Sequence, residues 1–518
     1  MRIRSHFLAL ALVLAYAAAF RLATLNRPFF DDAEGSGCQI GVLARNYFRF
    51  PWTRTYGMPV LSSGSAGSAA IVFYPDHPPM LPLTVAASYA AFGVGPWQTR
   101  LPIAVVTLAT ILVLYLLLAR FATPRIGLIA AALFAATPMV LTFGGFPDVV
   151  GLPLVFFVLL TLFAYLRFHR APRAASVAAL LGAFALAGLC DWPAYVLVPV
   201  LVVHFAATRP RQEWAWIATF TVAACALFAA VYVYITLATG SPWGWMLPLF
   251  RRRSSLVGAA GFTPRQWIAK AAAINAEYQT TVLSAAAVLG LLATPVRSRS
   301  RDGSPGTTVA ALLLAWAAVY VAIGSKALYS HEWAWVPLTP AMAVVAAQLI
   351  DWPLRAATRR RAGTTAGWAA GVLIAMFAAW TAAATLRTLH SPELRSPYTP
   401  MEVADALRIA APRADDIALL VGGEAQAQYW FYGDRPIRTD IWTADEFQAR
   451  VDDRTVDTMY HFDVQPWPGP AAGLVFPRIW EDEFAPLREY LAVRYPLTPL
   501  PPALASKFEV FDLRRALR

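Results

Sequence analysis

Read for hydrophobicity alone, the chain has two regimes. For about three-quarters of its length, long apolar runs alternate with short polar connections; beyond residue 390 the apolar runs shorten and acids appear between them. The long runs fall at 7–25, 100–119, 126–143, 149–166, 175–190, 192–207, 214–238, 277–295, 308–324, 333–352 and 366–386. Most approach the roughly 20 residues that a helix needs to cross the hydrocarbon core, so they predict about eleven transmembrane helices. Residues 78–93 are apolar but short, and they open on Pro78-Pro79. Counting them as a span would reverse the sidedness of every later connection. Residues 26–99 therefore read as one external loop with helices lying on the membrane surface. Gly35 to Phe50 predicts one such helix, with Val42, Leu43, Tyr47 and Phe50 as its apolar face and Arg45, Asn46 and Arg49 available to lipid head groups.

In the tail the pattern predicts helices at 402–410, 425–432 and 482–493 and strands at 417–421, 437–439 and 508–513. Helices alternating with short strands imply a compact α/β domain of ordinary size. The expected architecture is thus an all-α polytopic membrane domain over residues 1–390 and an extracytoplasmic α/β domain over 391–518. The tail carries no phosphate loop, no GxGxxG and no Ser/His/Asp pattern. It reads as a cap or recognition domain rather than a second enzyme.

Composition supports this division. The chain is 58% hydrophobic and only 14% charged, which excludes an ordinary soluble protein. Its net charge of +12 does not point to nucleic acid, because the arginines fall in alternate connections. With the N-terminus inside, the inside loops hold Arg120 and Arg125; Arg167, Arg170 and Arg173; Arg209 and Arg211; Arg297, Arg299 and Arg301; and Arg355, Arg359, Arg360 and Arg361. The first run follows Arg2 and Arg4 and is read as a retained helix rather than a signal peptide, since no small-residue cleavage site follows it. Cys38, Cys190 and Cys225 are scattered, with neither a disulfide framework nor metal spacing.

Only eleven of the 31 acids precede residue 391, and three of these sit together at Asp31, Asp32 and Glu34. A membrane protein that tolerates so few carboxylates and groups three of them uses them. Such a cluster can deprotonate an acceptor or bind a cation. Capping of the 35–50 helix would by itself account for one of them. Asp148, in Gly144-Gly145-Phe146-Pro147-Asp148, stands at the outer end of the third run, where it also suits an N-cap. His77 precedes the rigid Pro78-Pro79 and has the chemistry to meet a phosphate, or is simply a surface histidine. Lys326, one of three lysines, lies with His331 at an outer edge; both suit a lipid phosphate, and the lysine equally suits snorkelling beside Trp333 and Trp335. The run Arg251-Arg252-Arg253 opposes the positive-inside pattern and reads either as a misplaced boundary or as a loop gripping an anion.

Several segments in order resemble the GT-C membrane glycosyltransferases, the group of the protein O-mannosyltransferases and the aminoarabinose transferases of lipid A. They are the acidic cluster followed by Ala44-Arg45-Asn46-Tyr47-Phe48-Arg49; Tyr74-Pro75-Asp76-His77-Pro78-Pro79-Met80, similar to an (H/K)-P-P-L segment; and Trp97-Gln98-Thr99-Arg100-Leu101-Pro102. Trp335-Val336-Pro337-Leu338-Thr339-Pro340 and Gln428-Tyr429-Trp430-Phe431-Tyr432-Gly433-Asp434-Arg435-Pro436 extend the likeness to about residue 440. The resemblance implies an enzyme of a bacterial inner membrane. Such an enzyme transfers one sugar from a polyprenyl-phosphate donor to a lipid, glycan or protein acceptor at the external face. It implies Asp31 or Asp32 as base, with Glu34 displaced from the usual pair, and Asp148 as a supporting acid. Lys326, His331 and His77 would match groups that hold the donor phosphate. Histidine in the H-P-P segment, where the aminoarabinose transferases have lysine, argues against that sugar.

Two other classes remain. A transporter or flippase would call for paired broken helices and acids at mid-membrane, with Asp191 the residue to watch. A membrane scaffold would leave the first-loop acids and Lys326 without a common purpose. No cofactor is assigned. The carboxylates have the chemistry for a divalent ion, but no His/Cys spacing selects one.

Overall fold

The computed structural model describes residues 2–517 except 31–33, 63–70, 149, 258–259, 294–305, 360–362, 391–397, 423–426, 454, 458–463 and 468. The chain forms two compact units. The first comprises Met1–Asn26, Asp76–Leu81 and Arg100–Leu389, and the second Arg27–Pro75, Pro82–Thr99 and His390–Arg518.

The first unit is helical, and each predicted apolar run falls on a helix. Among the described residues six are long and apolar enough to cross a membrane: His6–Leu25, Pro96–Phe121, Leu152–Arg170, Arg211–Thr239, Glu332–Ala357 and Thr365–Leu389. Shorter apolar helices include Pro124–Ala136, Ala174–Cys190, Trp192–Thr208 and Thr307–Ile323. The run 126–143 is broken in two, Pro124–Ala136 and Pro138–Phe143. Thr137, before a proline, is driven out of the helical region to ψ 132°. The run 277–295 starts late, because a π-helical turn at Asn275–Thr280 precedes the helix Thr281–Leu292. Asp351, fully buried, is neutralised by Arg125 at 2.5 Å and Arg355 at 2.9 Å. A single buried carboxylate is tolerated there because two guanidinium groups meet it.

The second unit holds a four-stranded sheet in the order β2-β1-β5-β6, from β1 (Ile417–Leu420), β2 (Ile437–Arg438), β5 (Ala471–Pro477) and β6 (Phe508–Asp512). β1 runs parallel to β2 and β5, while β5 and β6 are antiparallel. A separate antiparallel pair joins β3 (Thr455–Asp457) and β4 (Val464–Pro466). The predicted tail helices correspond to Pro400–Ala410, Ala427–Gly433 and Ala485–Arg494. The sequence pattern missed the helix Ala444–Asp453 and the central strand β5. In β5, Gly473 interrupts the apolar run because it lies under the helix Pro400–Ala410; a Cβ there would sit 2.5 Å from the Ala410 carbonyl oxygen.

The predicted surface helix exists as Gly35–Asn46, but its polar side is not turned to lipid head groups. Arg45 and Asn46 are buried, and Asn46 Nδ2 donates to the Val60 and Ser62 carbonyls at 2.7 and 2.8 Å. Cys38 and Val42 join one core with Phe29 and with Trp430 and Phe431 of the tail. The polar residues are used inward because the tail segment supplies partners for them. Gly41 is required by the same packing, since its Cβ would lie 2.5 Å from the Phe431 ring. Gly41→Ala is expected to destabilise this unit by about 1–3 kcal/mol, overpacking outweighing the gain in helix propensity. A lowered melting temperature in scanning fluorimetry of the lipid-reconstituted protein checks it.

Candidate functional site

The strongest cluster of ionisable groups lies within the first unit. Asp191 follows the helix Ala174–Cys190 in extended backbone, φ −163° and ψ 157°, and its carboxylate accepts from the Trp192 amide at 2.8 Å. It thereby caps the turn Trp192–Val196, with Pro193 pre-shaped for the first positions. Asp191 is fully buried, and its Oδ1 lies 2.7 Å from His77 Nδ1. Trp192 Nε1 donates to the Asp76 carbonyl at 2.7 Å, and the buried Asp76 carboxylate meets Arg252 at 3.5 Å. The Asp76-His77 turn is therefore held at three points.

Asp148 belongs to the same charge cluster. Its Oδ1 accepts from the Val150 amide at 2.9 Å. Burial pushes its carboxyl pKa upward; the Val150 hydrogen bond and the charges of His77 and Arg253 oppose this, and Asp191 adds to it. The turn leading to it is fixed. Gly144 has no room for a side chain, because a Cβ would meet the Val140 carbonyl at 2.4 Å and Arg21 Nη1 at 2.9 Å. Arg21, buried near the end of the first long helix, donates to the Leu141 carbonyl at 2.5 Å, and Thr107 Oγ1 donates to that of Gly144 at 2.7 Å.

The basic run forms the end of a short helix, Met246–Arg253, rather than a misplaced span. Lys326 Nζ donates to the Arg251 carbonyl at 2.9 Å, and Ser255 N donates to Ser325 Oγ at 3.0 Å. A cation at a helix C-terminus is favourable, so Lys326 is drawn to the run despite its like charge. His331 stacks on Trp333 at 4.5 Å between ring centroids, and Trp333 packs on Phe146, two residues before Asp148, at 5.2 Å. Burial, aided by the charge of Arg253 and opposed by Glu332, pushes the His331 pKa down to about 4. The imidazole is neutral at neutral pH and offers a hydrogen bond, not a charge. A histidine whose folded pKa lies below its unfolded value of 6.5 costs stability as pH falls through that interval. Between pH 6.5 and about 4, His331→Gln should therefore lose less melting temperature than wild type.

Glu34 is in the second unit, buried, paired with Arg27 at 2.5 Å and accepting from the Phe30 amide at 3.0 Å. Its carboxylate is engaged in closing the loop between Arg27 and the following helix. Asp31 and Asp32 lie outside the described residues. Within one unit the structure thus brings together His77, Asp148, Lys326 and His331 with Asp191 and the arginine run. Asp191 had no catalytic signal in the sequence beyond the rarity of acids and the Asp-Trp-Pro capping pattern. Among the described residues no three His, Cys, Asp or Glu side chains converge as metal ligands.

Residues 76–238 match the family described as dolichyl-phosphate-mannose-protein mannosyltransferase, an interval containing His77, Asp148 and Asp191. The fold is similar to that of ArnT from Cupriavidus metallidurans, solved bound to undecaprenyl phosphate, with TM-score 0.60, 16% identity and 97% of each chain covered. It is also similar to the oligosaccharyltransferase of Archaeoglobus fulgidus, in the apo form at TM-score 0.57 and 13% identity over 92% of this chain and 70% of that one. The same archaeal enzyme, AglB, in complex with an inhibitory peptide and a dolichol-phosphate, gives TM-score 0.58 and 13% identity over 97% and 74%. No curated protein matches the chain by sequence. The chain shares the fold of ArnT and of the archaeal oligosaccharyltransferase.

Proposed function

We propose that this GT-C protein is an integral-membrane glycosyltransferase that moves one sugar from a polyprenyl-phosphate donor to a lipid, glycan or protein acceptor. The observation that carries the reading is the cluster of His77, Asp148 and Asp191 beside Arg252 and Arg253, within the interval that matches the mannosyltransferase family. Similarity in fold to enzymes solved with undecaprenyl phosphate and dolichol-phosphate supports the donor class. We place the N-terminus in the cytoplasm, the tail outside and the protein in a bacterial inner membrane. The positive-inside pattern supports the orientation.

The chemistry follows from the lipid. A polyprenyl phosphate stays in the bilayer, so its phosphate must be met at the surface by cations. Lys326, Arg252 and Arg253 supply charge and His77 and His331 supply hydrogen bonds. A first-loop carboxylate, Asp31 or Asp32, takes the acceptor proton. The acceptor oxygen or nitrogen then bonds to the anomeric carbon as the bond from that carbon to the phosphate oxygen breaks. Polyprenyl phosphate leaves with the electron pair. Asp148, whose carboxyl pKa is pushed upward by burial, supports the site as a neighbouring acid. The transferred sugar is a hexose or a pentose.

Asp191 is buried, as the coupling acid of a transporter would be. Its Oδ1 is held at a helix junction by His77 and the Trp192 amide. Transfer of radiolabelled sugar from a panel of polyprenyl-phosphate sugars, by purified protein in lipid with glycan, lipid A and peptide acceptors, tests the proposal. Transfer of one sugar is expected. Lipid-linked substrate crossing the bilayer without transfer would replace the enzyme with a flippase.

A further inference from the structure

Four helices of the first unit, Pro124–Ala136, Thr281–Leu292, Thr339–Arg359 and Gly363–Leu389, enclose a groove of about 150 Å³. Leu133, Ala286, Ala346 and Ile350 line it, with Val282 and Leu373 exposed at its rim. Almost no polar surface is there to hold water, so the groove suits hydrocarbon. Two of these helices carry cations to one end of it. Arg125 and Arg355 both meet Asp351, the residue after Ile350, through Nε at 2.5 and 2.9 Å. Leu133 follows Arg125 on its helix while Ala346 precedes Arg355, so the two helices are antiparallel and the groove lies on the same side of both arginines. At 1.5 Å per residue, Leu133 is about 12 Å from Arg125 along its helix and Ala346 about 14 Å from Arg355. Half of a hydrocarbon core is about 15 Å. Cations at head-group level therefore put the groove at the depth that an acyl chain reaches.

We infer that this face is a binding site for an anionic phospholipid, its phosphate on Arg125 and Arg355 and one acyl chain in the groove. The charge is unbalanced in the lipid's favour. Among the described residues Asp351 is the one partner of either arginine, and each uses only Nε on it, so Nη1 and Nη2 of both remain to donate. Both side chains are open to an anion, Arg125 at 37% exposed and Arg355 at 25%. Two guanidinium groups against one carboxylate leave one positive charge, which a single phosphodiester cancels. The planar fork of arginine matches two phosphate oxygens at once. Basic pockets between transmembrane helices on the cytoplasmic side hold acidic head groups in this way, and that is the leaflet these arginines meet in the orientation proposed above. Trp352, exposed beside Asp351, is the aromatic residue expected at the same level. A polyprenyl phosphate gripped by Lys326 and His331 would enter from the opposite face. The inference needs the chain in a bilayer and does not rest on the transferase reading.

The test is native mass spectrometry of the full-length protein, stripped of lipid in detergent and titrated with phosphatidylglycerol, phosphatidylcholine of the same chains, or undecaprenyl phosphate. Each cation near an anionic head group contributes about fivefold in affinity, so the wild type should bind phosphatidylglycerol about 25-fold more tightly than phosphatidylcholine. That preference should shrink as salt is added, because the arginines are part-exposed. Arg355→Gln should reduce it to about fivefold, leaving Arg125 on Asp351. Ala286→Phe, which fills the groove and touches no charge, should weaken both phospholipids alike and leave their ratio unchanged. Equal affinity of the wild type for the two phospholipids would overturn the site and leave only bulk lipid against an apolar face. So would a preference that salt or Arg355→Gln does not move. Undecaprenyl phosphate binding more tightly than phosphatidylglycerol, and lost in Ala286→Phe, would give the groove to that lipid instead. Should Arg355→Gln fail to fold, the wild-type salt series and Ala286→Phe still decide. Sugar transfer enters none of these measurements, so the site and the transferase reading can fail separately.

Discussion

One of the two variants Asp31→Asn and Asp32→Asn will lose about 10²- to 10⁴-fold in kcat, the usual contribution of a positioned general base. The other will lose less than about tenfold. The asymmetry is expected because only one carboxylate can stand within hydrogen-bond reach of the acceptor proton in a given pose, while its neighbour acts by charge. Asparagine preserves size and hydrogen-bond acceptance, so the loss isolates the missing basicity. KM for the donor should change little, since the base meets the acceptor. Glu34→Gln is the internal control. Glu34 is already committed to Arg27 and to the Phe30 amide, so its loss should lower the melting temperature more than the turnover. Single-turnover assays with saturating donor measure all three. Equal, small effects at Asp31 and Asp32 would remove the first loop from the chemistry, while collapse at Glu34 alone would transfer the role to it.

Periodicity and length carried most of the fold. Each apolar run falls on helical structure among the described residues, because an apolar stretch of that length satisfies its backbone groups internally as a helix. The failures came where long-range contacts override a local signal. Arg45 and Asn46 end a short helix and Arg49 lies in the turn after it, and a local reading gives these polar side chains to lipid head groups. Their partners are Asp434, the Trp430 and Phe431 carbonyls and the Val60–Ser62 backbone, hundreds of residues away in the first two cases. Strand β5 was hidden by Gly473, which local propensity counts against a strand and helix packing demands. In the site, the rarity of acids pointed to Asp148 but said nothing of what faces it. The pairing of His77 with Asp191 joins positions 114 residues apart, and no spacing rule reaches that far. The arginine run illustrates the converse. It violated the positive-inside pattern, and the violation was the signal, since the structure places it against Lys326 and Asp76.

Asp191→Ala should lower kcat/KM for the donor about 10- to 100-fold, the range seen when a group that orients a functional histidine is removed. Combined with His77→Ala it should cost no more than His77→Ala alone. The reasoning is geometric. Asp191 is fully buried, and at 2.7 Å its Oδ1 faces His77 Nδ1, so the carboxylate fixes which ring nitrogen carries the proton and which way the other points. The aspartate touches no substrate in this scheme. Its whole effect passes through His77, and a double-mutant cycle would then show near-complete coupling between the two positions. A purely structural Asp191 behaves differently. As the cap of the Trp192–Val196 turn, it would lower the melting temperature in both backgrounds alike and reduce activity additively with His77→Ala. Asp191→Asn separates the two contributions further, because the amide retains an acceptor for the Trp192 amide and for a His77 Nδ1–H while losing the charge. Activity near wild type in Asp191→Asn would show that orientation suffices. Loss as deep as in Asp191→Ala would show that the charge of the carboxylate, and not its shape alone, is what the contact with His77 requires.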